Sequence, residues 1–318
     1  MQMDIDKIFN DYKKPYLNAH NVNLSYFYNQ MDKSVNNGNG DFGNFEFESK
    51  NFKAFASSIK CIAKFLMEDF FLYFQTHEHS KKCNFGSYSI PEMIILLDGH
   101  TTLMDEKTTK KAYHEIIFSH FKYLFRHVDL SNDEEIKKCV EKFDKTYGLK
   151  FSKAVGDGGM TLNVLIYHDD EIIIVNLGDS KAIVVAKDYT FVETIDHTPE
   201  YDMLRIEENG GFLEGRGMVV VNNKGDSNKI CVSRSLGDHE FGKCSSKTPD
   251  VYRFKKNNVL FVAQYSDGIS TKLSAKNFVD NVKQLGIENV DNIYLESLIM
   301  STLNYDNSLI VFSIIKND

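Results

Sequence analysis

Between Thr161 and Ile195 the chain reads TLNVLIYH, DD, EIIIVNL, GDS, KAIVVA, KD and YTFVETI. Each apolar stretch is rich in β-branched residues and stops at an Asp, Gly, Ser or Lys-Asp break. That pattern predicts four short strands joined by tight turns, an antiparallel meander. Any fold for this chain has to carry that meander in a sheet.

The flanking segments extend it. FEFE, from Phe45, alternates with period two and predicts a strand. Ala54 to Met67 is expected to be extended too. MIILLDGH, from Met93 to His100, is a continuous apolar run stopped by Asp98 and Gly99, which predicts a buried strand feeding a turn. KICVSRS from Lys229, NNVLFVAQYSDG from Asn257 and NSLIVFSI from Asn307 add further strands. From Lys107 to Phe125, Ala112, Ile116, Phe118, His120, Phe121 and Leu124 share one side of a helical wheel and predict an amphipathic helix. A second helix is expected from Ser131 as N-cap, with Glu134 completing a capping box, to about Tyr147, where Gly148 stops it. Two more span Ala275 to Gly286 and Val290 to Leu303. Strand groups with segregated helices mean α+β, with two packed sheets expected. No internal repeat is visible. Residues 1–42 are polar, end in a Gly/Asn cluster and read as a segment ahead of the core, which takes residues 43–318.

A chain of 318 residues makes one large domain or two small ones. Its residues are 42% hydrophobic and 26% charged, which excludes collagen, a coiled-coil rod and a wholly disordered chain. No apolar run is long enough for a membrane span. The start, MQMDIDKIFNDYKK, lacks the apolar core of a signal peptide, and Gln2 stands where myristoylation needs glycine. A net charge of −8 argues against a nucleic-acid partner. Five cysteines without a CxxC pair read as free thiols in a reducing compartment, so a cytoplasmic or nuclear protein is expected; a monomer is the expected state, although the sequence leaves it open. His77, His79 and Cys83 lack a second ligand pair at zinc-site spacing, so HEHSKKC reads as a solvated loop.

Three aspartates close hydrophobic strands or open them: Asp98 after MIILL, Asp267 after VLFVAQYS, and Asp306 before NSLIVFSI. An aspartate at a strand end is ordinarily turn chemistry. Strand ends on one sheet edge can also converge, and converged carboxylates suit Mg²⁺ or Mn²⁺. Without a cation they would repel and protonate. Spacing alone leaves both readings open.

From Lys64 onward the chain resembles the metal-dependent protein serine/threonine phosphatases of the protein phosphatase 2C type. The elements run in that family's order: Met67-Glu68-Asp69, Asp98-Gly99-His100, Gly159-Met160-Thr161, Asn176-Leu177-Gly178-Asp179-Ser180-Lys181, Asp196-His197 with Pro199, and Arg205-Ile206-Glu207 with Gly210-Gly211. Ser233-Arg234-Ser235-Leu236-Gly237-Asp238, Ser266-Asp267-Gly268 and Asp306-Asn307 follow.

The resemblance implies two packed antiparallel β-sheets flanked by α-helices, a four-layer αββα sandwich, with a binuclear Mg²⁺ or Mn²⁺ site at one end. It implies that Asp98 bridges the metals, that the Gly99 carbonyl binds one, and that Asp267 and Asp306 bind the other. Glu68 would hold a metal-bound water, His100 would protonate the departing serine or threonine oxygen, and Lys64 would take the phosphate-binding arginine's place. The activity implied is hydrolysis of phosphoserine or phosphothreonine in protein substrates by a metal-activated water. Residues 196–230 fall where the family has a flap. The sequence departs from the pattern at Thr101 and Thr102 in place of two glycines, at Lys64 and Lys181 in place of arginines, and at Thr271 in place of an acid that helps hold a third metal. Those departures leave a second reading, a phosphatase-like scaffold that binds metal or phosphopeptide with little turnover. Another Mg²⁺-dependent phosphoryl hydrolase is a third.

Overall fold

The computed structural model describes residues 42–59, 68–74, 91–100, 119–121, 124–125, 128–154, 156, 158–221, 225–302 and 306–316. The N-terminal segment, the HEHSKKC loop, Lys64, Thr101, Thr102 and most of the expected helix over Lys107–Phe125 lie outside these residues.

Two antiparallel sheets form the core. One has six strands in the order Phe42–Glu48, Phe52–Ile59, Ser308–Ile315, Val259–Tyr265, Lys181–Ala186 and Phe191–Glu193. The other runs Leu236–Gly237, Gly159–Met160, Glu92–His100, Leu162–His168, Glu171–Leu177 and Asp250–Lys255, with Asp69–Phe74 also paired to Glu92–His100. The meander thus splits: its first two strands stay in the second sheet and its last two cross to the first.

Period-two alternation assigns each strand's side chains to separate layers. Ile94, Leu96, Leu165 and Ile174 meet Ala54, Ala56, Val184 and Val262 between the sheets. Ile95, Leu97, Val164 and Val175 face outward onto Ile136, Val140 and Phe151 of a helical stretch. Phe261, Ala263, Ile310 and Phe312 face the other way, onto Phe278 and Val282 of the helix Ala275–Leu285 and Leu295 and Ile299 of the helix Asn292–Thr302. Three apolar layers between four structural layers make the expected αββα sandwich. Among the described residues no helix is long and apolar enough to cross a membrane.

Local expectations needed three corrections. The helix expected from Ser131 is capped by Asn132, whose side chain accepts from the N–H groups of Glu134 and Glu135. Ser131 Oγ is already spent on Asp129 Oδ1, at 2.6 Å. The same helix does not stop at Gly148: Asp133–Phe143 passes through a wide π turn, Asp144–Gly148, into the helix Leu149–Ala154. Gly148 is needed for space, because a Cβ there would come within 2.1 Å of Asp144 Oδ1. KICVSRS is not a strand either. The strand is Ser227–Ile230, and the chain then leaves it because the Ser233 N–H and Oγ both bond to the His197 carbonyl.

Residues 196–230 carry the short helix Met203–Glu208 and a separate three-stranded sheet, Phe212–Glu214, Gly217–Val221 and Ser227–Ile230. Ile206 and Met218 of this unit pack on Phe241 and Cys244 in a small core of their own.

Candidate active site

A cavity of about 670 Å³ opens at one end of the sandwich. Asp98, Gly99, His100, Asp179, Asp267 and Asp306 line it, together with Asp238, and the Ser227–Ile230 strand continues its wall through Val232. Asp98, near the end of the strand Glu92–His100, and Asp179, Asp267 and Asp306, beside the ends of three other strands, therefore converge, although they are far apart in sequence. Glu68 stands beside this wall, where its carbonyl accepts from the Gly99 N–H at 2.9 Å.

The backbone at Asp98 is fixed by neighbours rather than by its own turn. Thr161 N–H donates to the Asp98 carbonyl at 2.8 Å, and Thr161 Oγ1 accepts from the Asp98 N–H at 3.1 Å. Asp69 lies opposite Asp98 in the strand register and takes a hydrogen bond from Ser266 Oγ at 2.7 Å. Ser266 precedes Asp267, and its Oγ also accepts from the Leu309 N–H at 3.1 Å, so it ties the Asp267 turn to the strand that follows Asp306. Buried amides continue the support: Gln264 Nε2 donates to Asn163 Oδ1, and Asn163 Nδ2 to Asn176 Oδ1, both at 2.8 Å, just before the Gly178–Asp179 turn.

The electrostatics follow from this crowding. Burial, reinforced by Asp69, Asp267, Asp179 and Asp306, pushes the Asp98 carboxyl well above the usual carboxylate range. Burial also pushes Asp69 up to about 8, with Asp267 and Asp306 adding and Ser266 opposing. Asp179 rises to about 7 through burial, then Asp267 and Asp196. Hard oxygen donors that cannot all ionise alone fit a divalent cation, which removes the repulsion. Among the described residues the acids share a wall rather than a ready-made ligand set of three.

His100 Nε2 lies 2.7 Å from Asp238 Oδ2. Burial lowers the basicity of this imidazole, but the charge and hydrogen bond of Asp238 outweigh it and its pKa is raised. Lys181 pairs with Asp196 at 3.2 Å and with Glu193 at 3.5 Å, so its ammonium faces acids beside the Asp179 turn.

Of the residues singled out in the sequence, Asp98, Gly99, His100, Asp267 and Asp306 come together at this cavity, with Glu68 adjacent, while Lys64 lies outside the described residues. Asp69 and Asp238 were present only as letters within motifs. Their signal was an acid directly after Glu68 and an acid ending a Ser-Arg-Ser-Leu-Gly-Asp turn.

A family model described as Protein phosphatase 2C matches residues 57–291, and the chain belongs to that family. It is 29% identical over 159 residues to "Probable protein phosphatase 2C 44" of Oryza sativa subsp. japonica, covering 49% of each chain. To "Protein phosphatase 1K, mitochondrial" of Xenopus laevis it is 28% identical over 185 residues, 56% of this chain and 43% of that one. The chain spans about half the length of the curated relatives it matches. Among solved structures, serine-threonine phosphatase 2C from Toxoplasma gondii superposes with a TM-score of 0.60 at 14% identity, covering 86% of this chain and 99% of that one. A C. elegans sex determining protein superposes with a TM-score of 0.58 at 18% identity, covering 84% and 66%. At such identities these likenesses speak for the fold alone.

Proposed function

We propose that this chain hydrolyses phosphoserine or phosphothreonine in proteins, with Mg²⁺ or Mn²⁺ as cofactor. The observation that carries the reading is the convergence of Asp98, Asp179, Asp267 and Asp306 with His100 on one cavity. Membership of the phosphatase family supports it.

Asp98, the Gly99 carbonyl, Asp267 and Asp306 would hold two ions, with Glu68 beside them; Thr271, in place of an acid, weakens the case for a third. When bound, two divalent ions supply positive charge to the phosphoryl oxygens and lower the pKa of water. The carboxylates fix where that charge sits. Thr161 and Ser266 keep the turns that bear them from moving apart. Water oxygen forms the new bond to phosphorus as the P–O bond to the serine or threonine breaks. His100 gives a proton to the departing oxygen, which leaves with the electron pair of that bond.

The scaffold reading draws on one observation, the lack of a ready-made ligand set among the described residues. Release of phosphate from a phosphothreonine peptide separates the readings. Turnover with Mn²⁺ that stops on chelation supports the enzyme. Metal uptake by calorimetry without turnover supports the scaffold. Faster turnover of a nucleotide than of the peptide would point to a different phosphoryl hydrolase.

A further inference from the structure

Asp238 is buried, with 1% of its surface exposed, yet it ends in the catalytic cavity. Its backbone is left-handed, at φ 48° and ψ 42°, a conformation that costs a non-glycine residue energy and persists only where its surroundings enforce it. The surroundings do so at several points. Asp144 Oδ1, from the π turn, accepts from the Gly237 N–H at 2.7 Å. Lys247 Nζ donates to the Gly237 carbonyl at 2.6 Å. The Asp238 N–H donates to the Gly158 carbonyl at 3.1 Å, and Ser235 Oγ donates to Asp238 Oδ2.

The strand pairing explains the aim of the carboxylate. Gly159 pairs with His100 on one side and with Gly237 on the other. A Cβ at Gly159 would sit 2.2 Å from Asp238 Oδ2. The missing side chain is therefore the gap through which the carboxylate reaches the imidazole of the neighbouring strand.

We propose that Asp238 is the positioning residue for His100: its carboxylate holds the protonated ring by Nε2–H and so aims Nδ1–H, the proton to be given, at the substrate's departing oxygen. A hydrogen bond at one ring nitrogen sets which tautomer is present and where the other nitrogen acts. Asp238 touches neither phosphate nor metal in this role and acts through His100. The inference rests on the phosphatase reading, so its test includes a measurement that needs no turnover.

The full chain is assayed with Mn²⁺ on phenyl phosphate, whose leaving oxygen needs a proton, and on p-nitrophenyl phosphate, whose leaving oxygen does not. Asp238→Ala is expected to lower kcat on phenyl phosphate by ~10- to 100-fold, within the range general acid catalysis supplies. On p-nitrophenyl phosphate the loss is expected to be about threefold or less, with KM unchanged on both. In a His100→Ala background Asp238→Ala is expected to add no further loss on phenyl phosphate. Asp238→Asn, which keeps an acceptor for Nε2–H, is expected to restore part of the selective loss and serves if the alanine variant does not fold. Equal losses on the two esters, or additive losses with His100→Ala, would overturn the proposal. In its neutral form, at high pH, the His100 ring of the metal-free chain is expected to give ¹⁵N signals of an Nε2–H tautomer, which Asp238→Ala converts to a mixture. A ring signature indifferent to Asp238→Ala also overturns it. If the wild-type chain turns over neither ester, the phosphatase reading is what fails, and the ring signature alone decides for Asp238.

Discussion

Thr161 grips Asp98 through both peptide groups, donating its N–H to the Asp98 carbonyl at 2.8 Å and accepting the Asp98 N–H on Oγ1 at 3.1 Å. The same Oγ1 lies 2.6 Å from Ser180 Oγ, next to Asp179. One hydroxyl therefore joins the Asp98 strand to the Asp179 turn. Thr161→Val keeps the shape and removes that hydroxyl, leaving the Asp98 N–H and Ser180 without a partner. A stability loss of about 1–3 kcal/mol is expected in urea unfolding, the cost of orphaned buried groups. Weaker Mn²⁺ uptake by calorimetry should accompany it, and Thr161→Ser should behave nearly as wild type. A valine variant with unchanged metal affinity would show that Asp98 keeps its place without Thr161.

Gly268 lies where the Asp267 turn meets the Asp306 turn. A Cβ at this position would stand 1.9 Å from the Asn307 carbonyl oxygen and 2.7 Å from Ser308 Oγ. Because the first obstacle is backbone, the two turns must separate to admit even alanine. Gly268→Ala is expected to cost ~1–3 kcal/mol, as overpacking does, and to weaken metal binding more than stability alone explains. Calorimetry on the folded fraction checks this. A variant that binds Mn²⁺ normally would mean that the two turns adjust independently.

The layers were legible because period two is printed in the strands. Ile94 and Leu96 face one way and Ile95 and Leu97 the other, so a continuous apolar run announces a strand covered on both faces. The converging acids were legible only as a family pattern, since strand-end aspartates look alike whether or not they meet. The Asp238–His100 pair was not legible, because it depends on a two-residue strand, Gly159–Met160, inserted between their segments. Gly148 misled for a related reason: a glycine after a helix reads as a stop, whereas here its empty side answers to the Asp144 carboxylate. KICVSRS misled because its apolar start hides the polar anchors, Ser233 and Arg234, that take the chain off the sheet.

Arg234 anchors the 196–230 unit to the second sheet. Its Nε and Nη2 donate to Asp202 at 2.8 and 3.1 Å, and Nη1 donates to Asp250 Oδ1 at 3.1 Å. Burial alone would raise the Asp202 carboxyl, but Arg234, Ser233 and Arg205 hold it far below the usual range. His197, then Arg234, hold Asp250 low as well. A carboxylate with a depressed folded pKa adds stability above its unfolded value, about 3.9, and loses it as pH falls through the folded value. Stability should therefore decline as pH drops from about 4 toward 2. Arg234→Met is expected to lose on the order of 2 kcal/mol at pH 7, and the deficit should shrink toward pH 2 as the carboxylates protonate. Urea midpoints across that range measure it. A deficit equal at pH 7 and pH 2 would mean that Arg234 contributes by packing alone.

Asp98 is crowded by other acids, with Asp69, Asp267, Asp179 and Asp306 adding to burial in raising its pKa. Like charges gathered at a binding site cost stability until a cation neutralises them. Asp98→Asn keeps the volume and hydrogen-bonding capacity of the side chain and removes one charge from the crowd. Two opposite changes are therefore expected from one substitution. In chelator, the variant should melt higher than wild type, by a few degrees if relief is worth about 1 kcal/mol. With Mn²⁺ added, the wild-type melting temperature should climb with metal concentration, since a ligand that binds only the folded state stabilises it by mass action. The variant's should rise far less, and its phosphatase turnover should be lost. Thermal melts of both chains across a Mn²⁺ series read all of this. If Asp98→Asn lowers the metal-free melting temperature while the Mn²⁺ response persists, the acidic turns serve folding, and the cation is held elsewhere.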